Sequence, residues 1–419
     1  MSNINPNQLG GTTVQAASTY SKYIQWGMIL GGLYFFGPGA SIFQYGAYGV
    51  LFFLGMLYYQ QDGLLYACNH PSIPKRASQN PALFRNPGER GMEYRTLNIR
   101  TSDACVLHGW LMTVPGGTVK STKAPTIVYF HGNAGNLGLR LPLYEELYFR
   151  LGCNVIAFDY RGYGDSTGKP NEEGLQLDAL ALRKYIHNEL REFIDPSTIF
   201  LFGRSLGGSV ATWLASQKFI NGEMNNAGGI NDNVKGAGDK NGIVDREGGN
   251  EEHFGIHGLI IENTFTSVGD LAIKLFSLLK LFKFLLPLLV KSKWLAKEDI
   301  KQVKVPIMLL SAQMDLLVPP KHMATLFKNA PDENELTRIH RFFLGGHNDT
   351  PIKEPEKYYQ AFINYFNDLG LTFSPLKRPE NNNNNITEEA KRLAAARMLS
   401  TKITEDNQRK ANEKKEKTT

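Results

Sequence analysis

The stretch Gly203-Arg204-Ser205-Leu206-Gly207 decides the fold, because its surroundings combine a strand, a tight turn and a helix. A run with strand character, 198–203, leads into it, and a helical pattern over 207–218 follows it. Glycine on either side of the serine permits a strained backbone without a Cβ clash. In that context a G-x-S-x-G sequence predicts a nucleophilic serine whose hydroxyl stands clear at the tip of the turn.

Further strand-like runs lie on both sides of this turn, and helical patterns separate most of the later ones. The predicted strands are 94–100, 105–113, 126–131, 154–159, 198–203, 257–262, 305–311 and 338–344. The predicted helices are 139–152, 173–191, 207–218, 320–329 and 354–368. This alternation indicates an α/β fold: a mostly parallel, eight-stranded sheet with helices on both faces and an antiparallel start.

Composition excludes several classes of protein. The net charge of +6 is modest for 419 residues, and the tail from Lys377 onward carries eleven Lys/Arg against seven Asp/Glu. The remainder is therefore near neutral, and no nucleic-acid partner is indicated. Cys68, Cys105 and Cys153 lie far apart, which argues against a disulfide framework or a zinc site. Without a Walker lysine, a dinucleotide fingerprint or a metal cluster in the sequence, we expect no cofactor and no metal.

Residues 23–61 carry no charged side chain. Gly37-Pro38-Gly39 divides this stretch, and the second piece, 40–61, is long enough for a transmembrane helix, which needs about 20 apolar residues. We predict one crossing near 42–60 and an interfacial extension over 23–36. A buried hairpin packed on the domain is the alternative.

The composition along the chain predicts seven segments. They are a polar N-terminus (1–22), a membrane anchor (23–61), a polar connector (62–92), an α/β domain (93–371) that contains a disordered insertion (221–254) and a helical cap (265–298), and a charged, disordered tail (372–419). Within the cap, Leu271 to Lys297 holds six lysines and no acidic residue, and Pro287 is expected to divide it into two helices.

Two further residues are expected to cooperate with the serine. A serine hydroxyl needs a base to take its proton, and the base needs a carboxylate to fix its tautomer. Asp315 follows the predicted strand 305–311, and His347 follows the last predicted strand, so both stand where α/β sheets build their sites. We assign Ser205, Asp315 and His347 as candidate catalytic residues, with Glu262 as the reserve acid.

Acyl transfer also requires hydrogen-bond donors for a developing oxyanion. The backbone N–H of Leu206 is one candidate. The second is expected in His131-Gly132-Asn133-Ala134-Gly135-Asn136, after the third predicted strand. We assign it to the N–H of Asn133, with Ala134 as the alternative, and expect His131 to fix the loop by hydrogen bonds.

Three other polar residues near the predicted strand ends need an interpretation. Arg204, beside the serine, either meets an anionic substrate group or pairs with a structural acid. Asp159 and Ser166 lie in a turn with two glycines and two aromatic residues, and we do not expect them to be catalytic.

Five motifs together carry a family resemblance. They are His131-Gly132-Asn133-Ala134-Gly135-Asn136, Asp159-Tyr160-Arg161-Gly162-Tyr163-Gly164, Gly203-Arg204-Ser205-Leu206-Gly207-Gly208, Glu262-Asn263-Thr264-Phe265-Thr266-Ser267 and Gly346-His347. As a set they resemble the α/β-hydrolase superfamily, and within it the membrane-anchored α/β-hydrolase domain-containing protein 13 group. The resemblance covers roughly 93–371 and the anchor. It implies a single-pass, type II signal-anchor protein with a triad at Ser205, Asp315 and His347.

The leading hypothesis is a membrane-anchored serine hydrolase that cleaves an ester or thioester of a hydrophobic acyl chain, with a lipid-like or acylated substrate. Related membrane-associated members of the superfamily remove fatty acyl groups from protein cysteines, so the resemblance extends the hypothesis to an acyl-protein thioesterase. A non-catalytic scaffold with the same fold and an acyltransferase are the alternatives. The substrate, the organelle and the oligomeric state are left open.

The side of the membrane on which the domain lies is also left open. Positive charges after the apolar stretch favour a cytoplasmic domain, whereas the resemblance implies a lumenal or extracellular one. Asn385-Ile386-Thr387 is a glycosylation sequon that would distinguish them.

Overall fold

The computed structural model describes residues 41–69, 73–115, 124–217, 219–220, 223–224, 255–332, 334–371 and 374–379. The predictions for 1–22 and for the interfacial extension 23–36 lie outside the described residues. So does the predicted insertion at 221–254, apart from Glu223–Met224, which pairs with Phe219–Ile220 in a two-residue antiparallel ladder.

The main sheet has eight strands in the order β1-β2-β4-β3-β5-β8-β9-β10. The described strands are β1 (Tyr94–Arg100), β2 (Val106–Met112), β3 (Thr126–Phe130), β4 (Asn154–Phe158), β5 (Ile199–Arg204), β6 (Phe219–Ile220), β7 (Glu223–Met224), β8 (Ile256–Glu262), β9 (Ile307–Ala312) and β10 (Arg338–Phe342). Strand β2 runs antiparallel to both of its neighbours, β1 and β4, and the other neighbouring strands of this sheet are parallel to each other. The predicted α/β fold with an eight-stranded, mostly parallel sheet is confirmed.

Burial along the strands follows their place in the sheet. Every residue of β3, β4, β5 and β9 is buried, whereas the edge strand β1 buries only Leu97 and Ile99. Central strands of a parallel sheet are covered on both faces, so their sequences are continuously apolar. This is why the inner strands could be predicted without an alternating pattern.

Successive residues of one strand face two separate cores. Val128 and Phe130 of β3 join one hydrophobic cluster, and Ile127 and Tyr129 join the other. Helices cover both clusters. The described α-helices are α1 (Ile42–Leu65), α2 (Leu141–Phe149), α3 (Glu172–Glu189), α4 (Leu206–Ser216), α5 (Val268–Leu275), α6 (Leu286–Leu289), α7 (Ala296–Asp299), α8 (Lys321–Asn329), α9 (Thr350–Lys353) and α10 (Pro355–Asp368). Residues of α3, α4 and α8 pack in the first cluster, and residues of α2 and α10 pack in the second.

The chain divides into two compact units, and most of helix α1 belongs to the smaller one. One compact unit holds α1 as far as Leu64 together with Leu289–Lys291, and the other holds the remainder of the described chain. Within the first unit, the Gln61 side chain donates to the Leu289 carbonyl at 3.0 Å and accepts from the Lys291 N–H at 2.7 Å. The Lys291 ammonium lies 4.6 Å from the centre of the Tyr58 ring.

By length and composition, Ile42–Gly63 is the one candidate membrane span among the described residues. It is 22 residues long, with a mean hydropathy of 1.2. The crossing predicted near 42–60 falls inside this helix, and a span of this length is sufficient for the apolar core of a bilayer.

Much of the segment 62–92, predicted as a polar connector, is packed on the domain. Tyr66, Phe84 and Met92 are buried, and the backbone N–H of Ala67 donates to the carbonyl of Asn133 at 2.9 Å. Asn80 and Asn136 exchange side-chain hydrogen bonds of 2.8 and 3.1 Å. The segment lacks helical or strand periodicity, and it is held by contacts with residues distant in the chain.

The first part of the predicted disordered tail also packs. The N–H of Leu376 donates to the carbonyl of Phe149 at 2.8 Å, and Arg378 pairs with Glu145 at 3.3 Å. Residues 380–419 lie outside the described chain.

The cap departs from the predicted break at Pro287. Helix α5 ends at Leu275, a 3₁₀ run follows over Ser277–Leu285, and Pro287 lies inside α6. Proline is tolerated in the first turn of a helix, where its missing N–H is not needed. The helical path therefore changes near Phe276 instead.

Candidate active site

Ser205 stands in a strained turn between β5 and α4. Its φ of 55° lies in the left-handed region, which a non-glycine residue adopts at a cost. A Cβ on Gly203 would approach the Gly207 carbonyl oxygen to 2.2 Å, and one on Gly207 would approach the Phe130 carbonyl oxygen to 2.0 Å. Both glycines are therefore required, because the backbone passes so close to them that a Cβ does not fit. The turn places Ser205 directly before the first residue of α4.

Asp315 and His347 meet at the carboxyl ends of neighbouring strands. Asp315 follows β9, His347 follows β10, and Asp315 Oδ2 lies 2.7 Å from His347 Nδ1. The other carboxylate oxygen of Asp315 accepts from the N–H groups of Leu317 and Val318 at 2.9 and 2.8 Å. The carboxylate is thus held from both sides, and its contact leaves His347 Nε2 as the nitrogen available for proton transfer.

Asn263 is a residue of the site to which the sequence analysis gave no role. It follows β8 with a φ of 48° and is buried. Its Nδ2 donates to the His347 carbonyl at 3.1 Å, and its Oδ1 accepts from the Ala312 N–H at 2.8 Å. Asn263 therefore ties the histidine loop to the end of β9. An asparagine directly after a strand, where a left-handed residue is often needed, was the available signal.

Glu262, the reserve acid, is engaged elsewhere. Its Oε2 accepts from Arg204 Nε at 2.8 Å and from the Tyr358 hydroxyl at 2.9 Å, and all of it is buried. Burial alone would lower the pKa of Arg204, but Glu262, Tyr129 and Tyr358 together outweigh burial and the pKa is raised. Of the two interpretations of Arg204, the structure supports pairing with a structural acid. It brings Asp315, and not Glu262, to His347.

The loop after β3 lies against the turn that holds Ser205. A Cβ built on Gly132 would stand 3.8 Å from the Cβ of Ser205. Within the described chain, no hydrogen bond occupies the backbone N–H of Asn133 or of Leu206. Both N–H groups therefore remain candidate donors to an oxyanion.

His131 has the structural role predicted for it. Its Nδ1 lies 2.7 Å from the Gly132 carbonyl, and its Nε2 accepts from the Tyr160 N–H at 3.4 Å. Burial, with a smaller contribution from Arg140, lowers the pKa of His131 to about 3. The ring is therefore neutral, and since the carbonyl needs a donor, its proton is on Nδ1.

Asp159 and Ser166 serve the same framework. The Ser166 hydroxyl donates to the Asp159 carbonyl at 2.7 Å and accepts from the His108 N–H at 2.9 Å. The Asp159 carboxyl accepts from the Leu137 N–H at 2.8 Å, and burial raises its pKa well above the ordinary value. Both side chains are used in holding loops.

The rim of the site is apolar and exposed. The loop around Asp315 presents Leu316 and Leu317, and the segment before His347 presents Phe343 and Leu344. Among the described residues, no group of three or more His, Cys, Asp or Glu side chains is placed to hold a metal ion.

Comparison with known proteins agrees with this architecture. A family model of the α/β hydrolase fold matches residues 125–235. The α/β hydrolase domain-containing protein WAV2 of Arabidopsis thaliana is 30% identical over 328 residues, which are 76% of this chain and 90% of the plant protein.

The chain is also similar to two further proteins. The Saccharomyces cerevisiae protein YNL320W, an uncharacterized membrane protein, is 30% identical over 298 residues, or 71% of this chain and 86% of its own. The lysophosphatidylserine lipase ABHD12 of Danio rerio is 35% identical over 146 residues, or 31% of this chain and 37% of its own. The resemblance found in the motifs is confirmed, and the chain belongs to the α/β-hydrolase superfamily, among its α/β-hydrolase domain-containing proteins.

Proposed function

We propose that the protein is a serine hydrolase that cleaves carboxylic ester or thioester bonds of a hydrophobic acyl substrate. The observation that carries this proposal is the 2.7 Å contact between Asp315 and His347 after β9 and β10, in the same sheet whose strand β5 delivers Ser205 in a strained turn. A serine hydroxyl in a strained turn, followed along the chain by an acid and then by a base, is what acyl transfer by serine requires in this fold.

The chemistry follows in two steps. In the first, Ser205 Oγ attacks the substrate carbonyl carbon while His347 Nε2 takes its proton, and Asp315 stabilises the imidazolium. The N–H groups of Asn133 and Leu206 bind the oxyanion of the tetrahedral intermediate. That intermediate collapses to an acyl-serine, and His347 gives its proton to the departing alcohol or thiol. In the second step, water attacks the acyl carbon with the same base, and Ser205 is regenerated.

A lipid-like or acylated substrate is supported by the apolar rim and by the cap. Leu281, Phe284 and Leu288 are 70, 76 and 79% exposed, although all three are large and apolar. Lys280 and Lys283 are exposed between them. A surface of apolar side chains with interspersed lysines suits a lipid interface that contains anionic headgroups. The zebrafish relative, a lysophosphatidylserine lipase by name, points to the same substrate class.

Anchoring in a membrane is supported by α1 and by the name of the yeast relative. Tyr58 and Tyr59 lie near the end of α1, where amphipathic rings suit the boundary between lipid and water. We propose a single-pass protein with its catalytic domain after the anchor.

Labelling by a fluorophosphonate tests the proposed hydrolase. The wild-type protein is expected to label and Ser205→Ala is not. Ser209→Ala is the matched control, because Ser209 is a buried serine one turn further along the same helix, and it should still label. A folded wild-type protein that does not label, or labelling that survives Ser205→Ala, overturns the proposal. A panel of acyl esters and thioesters of increasing chain length then defines the substrate.

A further inference from the structure

The loop 131–136, which follows β3, is held at four successive backbone carbonyls. The pairs are Tyr160 hydroxyl to His131 carbonyl at 3.0 Å, His131 Nδ1 to Gly132 carbonyl at 2.7 Å, Ala67 N–H and Tyr163 hydroxyl to Asn133 carbonyl at 2.9 Å each, and Arg140 Nη2 to Ala134 carbonyl at 2.6 Å. A loop with this many fixed carbonyls has little freedom to rotate its peptide planes.

These bonds determine where the N–H groups of the loop point. In a planar trans peptide the N–H points away from the carbonyl of the same plane. The bond to the Gly132 carbonyl therefore directs the N–H of Asn133, and the bonds to the Asn133 carbonyl direct the N–H of Ala134. Fixing the planes on both sides of Asn133 also fixes its two backbone angles. Either candidate donor for the oxyanion thus depends on the Asn133 carbonyl being held.

One of the two donors to that carbonyl comes from an unexpected place in the chain. Ala67 is two residues beyond the last residue of α1, and it forms an isolated parallel bridge with Ala134. Its neighbour Tyr66 is buried, and the Tyr66 hydroxyl donates to Ser292 Oγ and accepts from Trp294 Nε1, both at 2.9 Å. The position of Ala67 is therefore fixed independently of the loop.

We propose that Ala67 and Tyr163 are positioning residues for the oxyanion loop, so that the segment leaving α1 completes the active site. This inference rests on the proposed hydrolase function. Neither residue needs to touch the substrate, because both act through the carbonyl of Asn133. Their contribution is largest when the oxyanion forms, and it should therefore change kcat more than KM.

The first experiment removes the side-chain donor with Tyr163→Phe in the full-length protein. Loss of a complete oxyanion donor costs about 10²- to 10³-fold in kcat, and a donor that is only misdirected should cost about 10-fold. Tyr365→Phe is the matched control, since the buried Tyr365 hydroxyl donates to the Pro306 carbonyl at 2.8 Å on the other side of the sheet. We expect kcat to fall with Tyr163→Phe, KM to change little, and the control to keep both constants.

The second experiment removes only the backbone donor. Replacement of Ala67 by lactic acid, through nonsense suppression, turns one amide into an ester and deletes its N–H while retaining the methyl group. The same replacement at Ala104 is the control, because the N–H of Ala104 donates to the Thr101 carbonyl at 3.1 Å in the turn between β1 and β2. We expect a several-fold loss of kcat and faster hydrogen exchange over 131–136 for the change at Ala67 alone.

The outcomes separate the two proposals. An active wild-type protein whose kcat is unchanged by both Tyr163→Phe and the ester at Ala67 overturns the positioning role and leaves the hydrolase function standing. Equal losses in the test variants and in the controls also overturn it, because they indicate a general loss of stability. A wild-type protein without fluorophosphonate labelling or turnover overturns the hydrolase function, and the positioning role falls with it.

Discussion

Helix α4 and the cap are both rich in apolar residues, yet the structure places them in opposite surroundings. Every residue of α4 from Leu206 to Ala215 is buried. In the cap, Leu279 and Leu286 are buried, whereas Leu281, Phe284 and Leu288 are largely exposed, and α5 has no buried residue. The apolar character of α4 is thus explained by the core on which it packs. The apolar character of the cap is not explained in this way, and it is the reason for the lipid interface proposed above.

The largest expected effect is a loss of catalysis when the candidate base is removed from the buried site. We expect His347→Ala to lower kcat by about 10⁴-fold or more, since the serine loses its base. The melting temperature should stay close to that of the wild type. His187→Ala on α3 is a control that leaves the site untouched. Retained turnover in a folded His347→Ala protein would mean that another group acts as the base.

Removal of the charge at Asp315 should have the next largest effect. Asp315→Asn keeps the shape of the side chain but no longer fixes the required tautomer of His347, so kcat should fall by about 10³- to 10⁴-fold. Steady-state kinetics with a soluble ester measures this loss. Because Glu262 is held by Arg204 and Tyr358, Glu262→Gln should not produce the same kinetic signature. Full activity of Asp315→Asn would remove Asp315 from the mechanism.

A pair of leucine substitutions tests the contrast in packing directly. Leu214→Ala in α4 removes a side chain that is 2% exposed, and it should lower the free energy of unfolding by about 2–5 kcal/mol. Leu281→Ala in the cap removes one that is 70% exposed, and the change should stay within about 0.5 kcal/mol. Chemical denaturation measures both. Similar losses at the two positions would show that the cap leucine is part of the core.

The proposed role of the cap predicts a change in substrate preference. Phe284→Ser should lower the rate on a long-chain ester presented in vesicles by several-fold, because less apolar surface contacts the lipid. The rate on a short, water-soluble ester should be unchanged, since the triad is intact. A parallel fall in both rates would place Phe284 in the catalytic machinery instead of at a lipid interface.

The smallest expected effect concerns Asp299, at the end of α7 near the base of the cap. Burial, together with Glu172 and Glu298, raises the pKa of Asp299 to about 7. The unfolded chain releases this proton at a lower pH, so the folded state loses stability as pH rises from about 4 through 7. Asp299→Asn should therefore stabilise the protein at pH 8 and have no effect at pH 4. Denaturation at the two pH values measures the difference, and equal stabilisation at both would contradict the raised pKa.

Much of the fold followed from local sequence, and the reason lies in the sheet. Each predicted strand of the main sheet ends within two residues of the observed strand, because buried parallel strands are continuous apolar runs bounded by polar turns. Asp315 and His347 could be paired because strand ends converge on one edge of such a sheet. Ser205 was predicted as the nucleophile because a glycine on either side of it indicates a strained turn.

Other features could not be predicted, because they depend on contacts between distant segments. Nothing in the composition of 65–69 indicates that Ala67 pairs with the loop around Asn133. The docking of 374–379 rests on Leu376 and Arg378, which meet α2 more than 200 residues earlier in the chain. Asn263 was visible in a motif, but its two hydrogen bonds join loops that only the tertiary fold brings together.

The left-handed backbone of Ser205 limits which chemistry this fold can host. Threonine carries the same hydroxyl, but its second branch at Cβ conflicts with a φ of 55°, so it is a poor substitute despite equivalent reactivity. Glycine suits the backbone but offers no nucleophile. Cysteine meets both demands, and a change from an oxygen to a sulfur nucleophile is therefore the one conservative exchange that the turn allows. Replacement of Ser205 by cysteine changes a single side-chain atom, whereas a threonine at this position requires a different backbone conformation of the turn.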